Sequence, residues 1–440
     1  MVLSWGRAHR FEHDITRLRP GNEAQQLKAA FQGNRPVLAH GLGRSYGDVA
    51  LNEDGTLLVT PAMDQLLAAD WKTGLIRVSA GLSSEQLLRI CVPKGWFLPV
   101  TPGTKFVTMG GAVANDVHGK NHHKKGSFGA HVTRLGLQRS DKGYMELSRD
   151  ENPDLFALTL GGLGLTGIIL WVELQLTPIR SAYLDVENIK CRSLSDFFRL
   201  SEESKDWDYT VMWVDCFATG RKLGRGIFSR ARFKKDGQLD VHSQKAIRMP
   251  FAMPGFILNK LSISIFNWLY RIRPAARFKG KQHYDPFFYP LDGIQDWNLL
   301  YGPQGFFQHQ CLLAPEKGEE GIREMLERIA KSGQGSFLAV LKVHGPEPSP
   351  GVMSFCGEGV SLALDFANKG PSTLQLLSDL DAIVEAHNGR VYPAKDSRMS
   401  PEFFQKSYPD WTKLEAARDP KISSSFWRRV TGKNKASSHD

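Results

Sequence analysis

Pro36-Val37-Leu38-Ala39-His40-Gly41-Leu42-Gly43-Arg44-Ser45-Tyr46-Gly47-Asp48 carries a short β-forming run straight into a glycine-dense loop. Glycines let main-chain N–H groups turn toward an anion at close range, the geometry that a pyrophosphate needs. The loop is neither a GxGxxG opening a Rossmann helix nor a Walker A motif, and taken alone it also reads as a tight hairpin turn.

Two further patches work outward from it. Pro102-Gly103-Thr104 precedes Thr108-Met109-Gly110-Gly111-Ala112-Val113-Ala114-Asn115-Asp116-Val117-His118-Gly119-Lys120-Asn121-His122-His123. Small residues let a flat ring lie against main chain, and Asn, Asp, His and Lys fix its orientation, so the segment reads as a cofactor cradle. No carboxylate sits at ligand spacing from these histidines and HExxH is absent, so no metal is expected. Gly161 to Ile169 (GGLGLTGII) is glycine-rich and then β-forming, which suits a strand edge receiving a cofactor and equally suits core packing.

Around these patches, residues 36–178 read as short strands punctuated by turn residues: PVLAHG, TLLVT, LIRVSAG, GGAVAND and TGIILWVELQLTP. SSEQLLRICVPKG reads as a helix, with Ser83 or Ser84 as cap and Gly95 as terminator. After Pro178 aromatic-rich strands such as YTVMWVDCFATG alternate with longer helical patterns, GEEGIREMLERIAKSG and STLQLLSDLDAIVEAHNG, as in a sheet with helices on one side. The expected fold class is α+β. The last ten or so residues, TGKNKASSHD, read as disordered.

At 440 residues the chain is long enough for two or three packed units, and its 41% hydrophobic and 23% charged content is that of an ordinary globular protein. The N-terminus has charges throughout and no signal-peptide pattern, so a cytoplasmic protein is expected. Five scattered cysteines without a CxxC pair read as free thiols. No apolar run is long enough to span a bilayer, because Glu173 interrupts one candidate and Asn259 with Lys260 the other. The net charge of +10 is concentrated in residues 241–284, which hold no Asp or Glu but carry Lys245, Arg248, Lys260, Arg271, Arg273, Arg277, Lys279 and Lys281. No nucleic-acid reader motif accompanies this run, and no nucleic-acid partner is expected.

The three glycine patches, in this order, resemble the flavin domain of the vanillyl-alcohol-oxidase superfamily. A longer series resembles one family within it, the decaprenylphosphoryl-β-D-ribose 2-oxidases of arabinan biosynthesis: RSYGD, PGT, GGA, D-x-HGKNHH, GSFG, HV, GGxGLTGII and, far downstream, Tyr392-Pro393-Ala394-Lys395-Asp396-Ser397-Arg398. Weaker similarity covers Trp213 with GRKLGRG, YPLDGIQDWNLLYGPQGFFQHQ and SFLAVLKVHGP, so the resemblance spans nearly the whole chain.

That resemblance implies a two-part FAD-binding domain from residues 1–180 and 385–440, around a substrate domain of residues 181–384 that includes a covering segment, 241–284. It implies FAD held by Gly41, Leu42, Gly43, Arg44, Ser45, Tyr46, Gly47, Asp48, Gly103, Thr108, Met109, Gly110, Gly111, Asn115, Asp116, Val117, His118, Ile169 and Tyr392. Many relatives attach flavin through a histidine in the first glycine loop; Tyr46 stands there in this chain, so the FAD is expected to be non-covalent. Lys395, Tyr46, His118 and Lys120 are the implied catalytic candidates, with Lys395 suited to stabilise negative charge on a reduced flavin. Trp213, Gln308, Gln310, Lys342 and Lys395 would meet a sugar phosphate. The family's active-site cysteine is replaced by Ala363, with Ser361 two residues earlier, so thiol-directed inhibition is not expected.

The implied reaction is oxidation of the ribose 2-hydroxyl of a polyprenyl-phosphoryl ribose to the 2-keto sugar. A separate NAD(P)H-dependent short-chain reductase would then complete epimerisation to the arabinose lipid. A soluble sugar or alditol oxidase and a non-catalytic flavoprotein are the alternatives. The apolar and basic segment 241–284 suits either an anionic membrane surface, with the enzyme peripheral on the inner membrane, or a buried helix followed by a solvated loop.

Overall fold

The computed structural model describes residues 2–241 and 247–432; Lys245 and the tail from 433 lie outside the described residues. The strand Val37–His40 pairs in parallel with Thr56–Val59, which pairs in turn with Asp14–Arg17. Beside this small sheet, Leu66–Asp70, Leu75–Ser79, Ile168–Gln175, Val132–Arg139 and Gly143–Ser148 form a five-stranded antiparallel sheet in that order. The helix Ser84–Cys91 is closed by a Ser83–Gln86 capping box, and the chain leaves the following turn through Gly95 at φ +82°.

One expected strand is a helix. Residues 109–114 of the GGAVAND run form a short α-helix, because the Thr108 side chain accepts from Gly111 N–H and caps it. A helix here turns the two small faces of Gly110 and Gly111 inward: a Cβ on Gly110 would lie 2.9 Å from Ala80 Cβ, and Gly111 faces the cavity described below.

The second half builds an eight-stranded antiparallel sheet in the order Lys279–His283, Tyr183–Cys191, Gly226–Phe233, Tyr209–Val214, Ala339–His344, Gly359–Ala367, Phe306–Leu313, Arg390–Val391. The amphipathic helices Pro315–Ser332 and Pro371–Ala386 pack on each other and on this sheet, burying Ile322, Met325, Leu326, Leu376, Leu377 and Leu380. The mixed α+β class read from the sequence is the class of this structure.

Beyond the edge strand Arg390–Val391 the chain returns to the first sheet. Ile422 bridges Val37, and Arg429, in the helix Ser425–Val430, pairs with both Asp48 (2.8 Å) and Asp396 (2.9 Å). The return is tight. A Cβ on Gly47 would stand 1.6 Å from Asp396 O, so a side chain there would push the glycine loop off the C-terminal segment. All five cysteines are free and buried, and among the described residues no helix is long and apolar enough to cross a membrane.

Candidate active site

The parallel sheet and the eight-stranded sheet face each other across a cavity of about 560 Å³. One wall is main chain and small residues: Gly41 to Tyr46, Gly103, Thr108, Gly110, Gly111, Asn115, Val117, His118 and Ile169. Within residues 42–47 the one main-chain N–H given to a main-chain acceptor among the described residues is that of Tyr46, to Ala394 O at 2.9 Å. The neighbouring N–H groups of the loop are left for an anion. Arg44 Nε and Asn115 Oδ1 are buried without a hydrogen-bond partner among the described residues, and Gly103 has open space where a Cβ would be. Free amides, an unpaired guanidinium nitrogen and a flat small-residue surface suit the pyrophosphate and ring of FAD.

The opposite wall is one face of the eight-stranded sheet. Alternate residues of three neighbouring strands share that face: Gln308 and Gln310, Val340 and Lys342, Ala363 and Asp365. The register sets Gln308 opposite Asp365 and Gln310 opposite Ala363. Tyr392, Ala394 and Lys395 complete the base, and the Tyr392 hydroxyl donates to Asn115 O (2.8 Å), tying the base to the cradle.

Lys395 Nζ lies 3.9 Å from the centre of the Tyr46 ring and has no hydrogen-bond acceptor among the described residues. The other candidates are engaged. Lys120 donates to Phe287 O, away from the cavity lining, and Lys342 Nζ meets His118 Nδ1 at 2.9 Å. His118 Nε2 meets the Gln310 amide at 2.8 Å. With Lys342 donating to Nδ1, the His118 proton sits on Nε2 and the Gln310 amide must turn its oxygen toward it, which also lets Ser361 donate to that oxygen.

Burial dominates the electrostatics of the base. It pushes Lys342 down to about 8 and Lys120 down to about 7, the latter with help from the Lys342 charge. Burial, with Lys342 next, holds His118 neutral far below the ordinary histidine range. Lys395 is also pushed down by burial, and the Asp365 charge opposes that fall. The Asp365 carboxyl is raised by burial, against a 2.5 Å hydrogen bond from Gln308 Nε2.

Asp365 is absent from the sequence reading, although its signal was available: it follows Ala363 by two residues and so shares that residue's face of the strand. Of the cavity mouth, formed by Arg248, Leu291, Ile294, Gln295, Asp296 and Trp297, the sequence reading names Arg248 alone, as part of the basic segment. Several expected contacts lie elsewhere. Asp48 is buried against Arg429, and Met109 points into the core. Asp116 accepts from Gly129 N–H, Ser349 and Ser354, and Gly47 abuts Asp396. Trp213 donates its indole N–H to Phe337 O and packs against Tyr270, outside the cavity lining.

A helix covers that side. Lys260–Ile272, capped by Asn259, buries Ile263 and Asn267 but exposes Leu261 (70%), Ile265, Trp268 (56%), Leu269 and Ile272. Of the basic residues around it, Arg248 meets Asp296, Lys279 meets Glu187 and Lys281 meets Asp236. Lys260, Arg271, Arg273 and Arg277 have no ion pair among the described residues.

Residues 20–145 match the FAD binding domain family. The chain is 36% identical over 409 residues to decaprenylphosphoryl-β-D-ribose oxidase of Mycolicibacterium smegmatis, covering 89% of this chain and 88% of that one. It is 31% identical to an uncharacterized protein of Streptomyces coelicolor, over 77% of this chain and 96% of the relative. A shorter match, 29% identical over 40% of this chain and 30% of the other, is to a mitochondrial L-galactono-1,4-lactone dehydrogenase of Oryza sativa. With identity running through nearly all of both chains, and with an FAD cradle facing a polar sheet, the protein belongs to the decaprenylphosphoryl-β-D-ribose oxidase family and is an FAD-dependent oxidoreductase.

Proposed function

We propose that the protein oxidises the ribose 2-hydroxyl of a polyprenyl-phosphoryl ribose to the 2-keto sugar at the Lys395 end of the cavity. The observation that carries this reading is the pairing, in one cavity, of the FAD cradle with a sheet face bearing Gln308, Gln310, Lys342 and Lys395. Amides suit sugar hydroxyls, and buried ammonium groups suit a phosphate.

Bound FAD supplies the two-electron acceptor. Lys395 provides the positive charge that offsets negative charge developing beside it, and its unengaged Nζ is free to meet substrate. His118 orients rather than deprotonates, since both ring nitrogens are taken by Lys342 and Gln310. Tyr46 supports the Lys395 ammonium with its ring, and its burial raises the phenol well above the ordinary tyrosine range, so it stays protonated. Because position 46 is tyrosine, the FAD is held without a covalent bond.

The lipid tail leaves through the mouth near Arg248 and Ile294, toward the exposed apolar stripe of the helix Lys260–Ile272. That stripe and its unpaired arginines favour a peripheral seat on an anionic membrane over a buried helix. A 2-keto sugar must be reduced on its other face to invert the centre, so the product passes to a separate NAD(P)H-dependent reductase.

The reading is tested by mixing the FAD-loaded protein anaerobically with polyprenyl-phosphoryl ribose or with free sugars and following flavin absorbance. Bleaching by the lipid-linked ribose alone is expected. Bleaching by free sugars alone would overturn it in favour of a sugar or alditol oxidase, and no bleaching by either would leave a non-catalytic flavoprotein.

A further inference from the structure

Behind His118, outside the cavity lining, three segments remote in sequence bring His122, His344 and Cys356 together. His122 opens the short helix His122–Lys125, His344 ends the strand Ala339–His344, and Cys356 lies in the loop returning to Gly359–Ala367. Their ligand atoms all lie within 4.8 Å of one another, and the three residues are 1%, 1% and 5% exposed.

The polar bookkeeping is unusual. His122 and His344 stack with ring centres 4.2 Å apart, yet none of their four buried ring nitrogens has a hydrogen-bond partner among the described residues. Every other described histidine has at least one ring nitrogen bonded, including His40 to Ala50 O, His123 to Trp207 O and His309 to Asp381. Buried polar atoms are almost always satisfied, and an unbonded pair points to a ligand that takes their lone pairs. The Cys356 thiol makes only a 3.6 Å contact with Asp116 O.

We propose that His122, His344 and Cys356 bind one thiophilic transition-metal ion of the Zn²⁺ class, stapling the HGKNHH segment to the end of the substrate sheet. Two imidazoles and one thiolate form a borderline-soft donor set, and with no carboxylate in it the site does not suit Mg²⁺ or Ca²⁺. Zinc bond lengths of about 2.0–2.1 Å to nitrogen and about 2.3 Å to sulfur place tetrahedral donors roughly 3.3–3.7 Å apart. The side chains therefore close by about 1 Å on binding, with the two rings rotating out of their stack. Binding expels the Cys356 thiol proton to solvent, so one proton is released per ion, and the thiolate offsets the repulsion from the nearby Lys342 ammonium. The fourth position falls to Asp116 O or to water.

The test uses the FAD-loaded protein, stripped with a chelator and then titrated with Zn²⁺ or Co²⁺. Expected are about one tightly bound ion per chain by elemental analysis, a thiolate-to-cobalt charge-transfer band, and release of about one proton per ion to a weak buffer. Cys356→Ser should abolish the band, and Cys356→Ser and His344→Gln should each weaken binding by more than about tenfold, since even outer-shell changes cost that much. FAD content reports whether each variant is folded. The wild-type cobalt spectrum decides without any variant: binding with no thiolate band, or far less than one ion per chain, overturns the site. Binding unchanged in the folded variants would overturn it too.

Discussion

The base of the cavity and the helix Lys260–Ile272 both set cationic side chains beside apolar ones, yet they differ in where the charge sits. At the base, Lys342 and Lys395 are lowered by burial; Lys342 meets His118 at 2.9 Å, and the Asp365 charge opposes the fall of Lys395. On the helix and in the turn after it, Arg273 and Arg277 are exposed, as are Leu261 and Trp268. Buried charge is scarcely screened and is set by proton equilibria; exposed charge is screened by salt within about 10 Å at 0.1 M. The base should thus respond to pH and the helix to ionic strength.

The sharpest break concerns cofactor retention. With Tyr46 in the glycine loop, acid or heat denaturation should release all the FAD to the supernatant, and flavin remaining on the precipitated chain would refute non-covalent binding. Next in size is Lys395→Ala, which should keep its FAD but lose about 10²–10³-fold in flavin reduction by substrate, the cost of about 2.7–4 kcal/mol for one well-placed group. Wild-type reduction rates would remove Lys395 from the chemistry, and lost FAD would make it a cofactor ligand instead.

At the helix, replacing Arg271, Arg273 and Arg277 by Gln should weaken association with anionic vesicles. Each charge contributes about 1 kcal/mol near the surface, up to about a hundredfold together at low salt. The loss should shrink as salt is raised, while FAD content and activity on a short, water-soluble analogue persist. Parallel loss of both activities with unchanged vesicle binding would make the helix Lys260–Ile272 a structural lid.

The same contrast explains what could be read beforehand. The cradle is legible because one contiguous loop, residues 41–46, and one run, 103–118, supply most of it, and glycine has few other reasons to be so dense. The sheet face is not, because Gln308, Lys342 and Asp365 belong to three strands and meet only through register; the first two emerged through resemblance and Asp365 did not emerge at all. The GGAVAND run misread as a strand because a threonine cap outweighs glycine's poor helix propensity over so short a span. Asp48 and Asp116 look like cofactor contacts in a motif, but they face Arg429 and Ser354, partners hundreds of residues away.

The smallest expected effect is the most diagnostic for buried charge. Asp365→Asn keeps an oxygen to accept from Gln308 and turns an NH2 that can donate to the Tyr301 hydroxyl, but removes the negative charge that opposes the burial-driven fall of Lys395. Lys395 in the variant should therefore lose its proton at lower pH than in the wild type. If the protonated lysine stabilises developing negative charge, flavin reduction is full below the Lys395 pKa and declines as pH rises through it. The alkaline limb of the rate profile should then move to lower pH, by about one unit for each 1.4 kcal/mol of lost interaction. Near neutrality this amounts to about a tenfold slower reduction, largely recovered by lowering the pH, whereas added salt should change little. A limb that stays in place while the rate falls equally at every pH would show that Asp365 acts through packing and hydrogen bonding. A limb moving to higher pH would reverse the sign and make the neutral amine the active form.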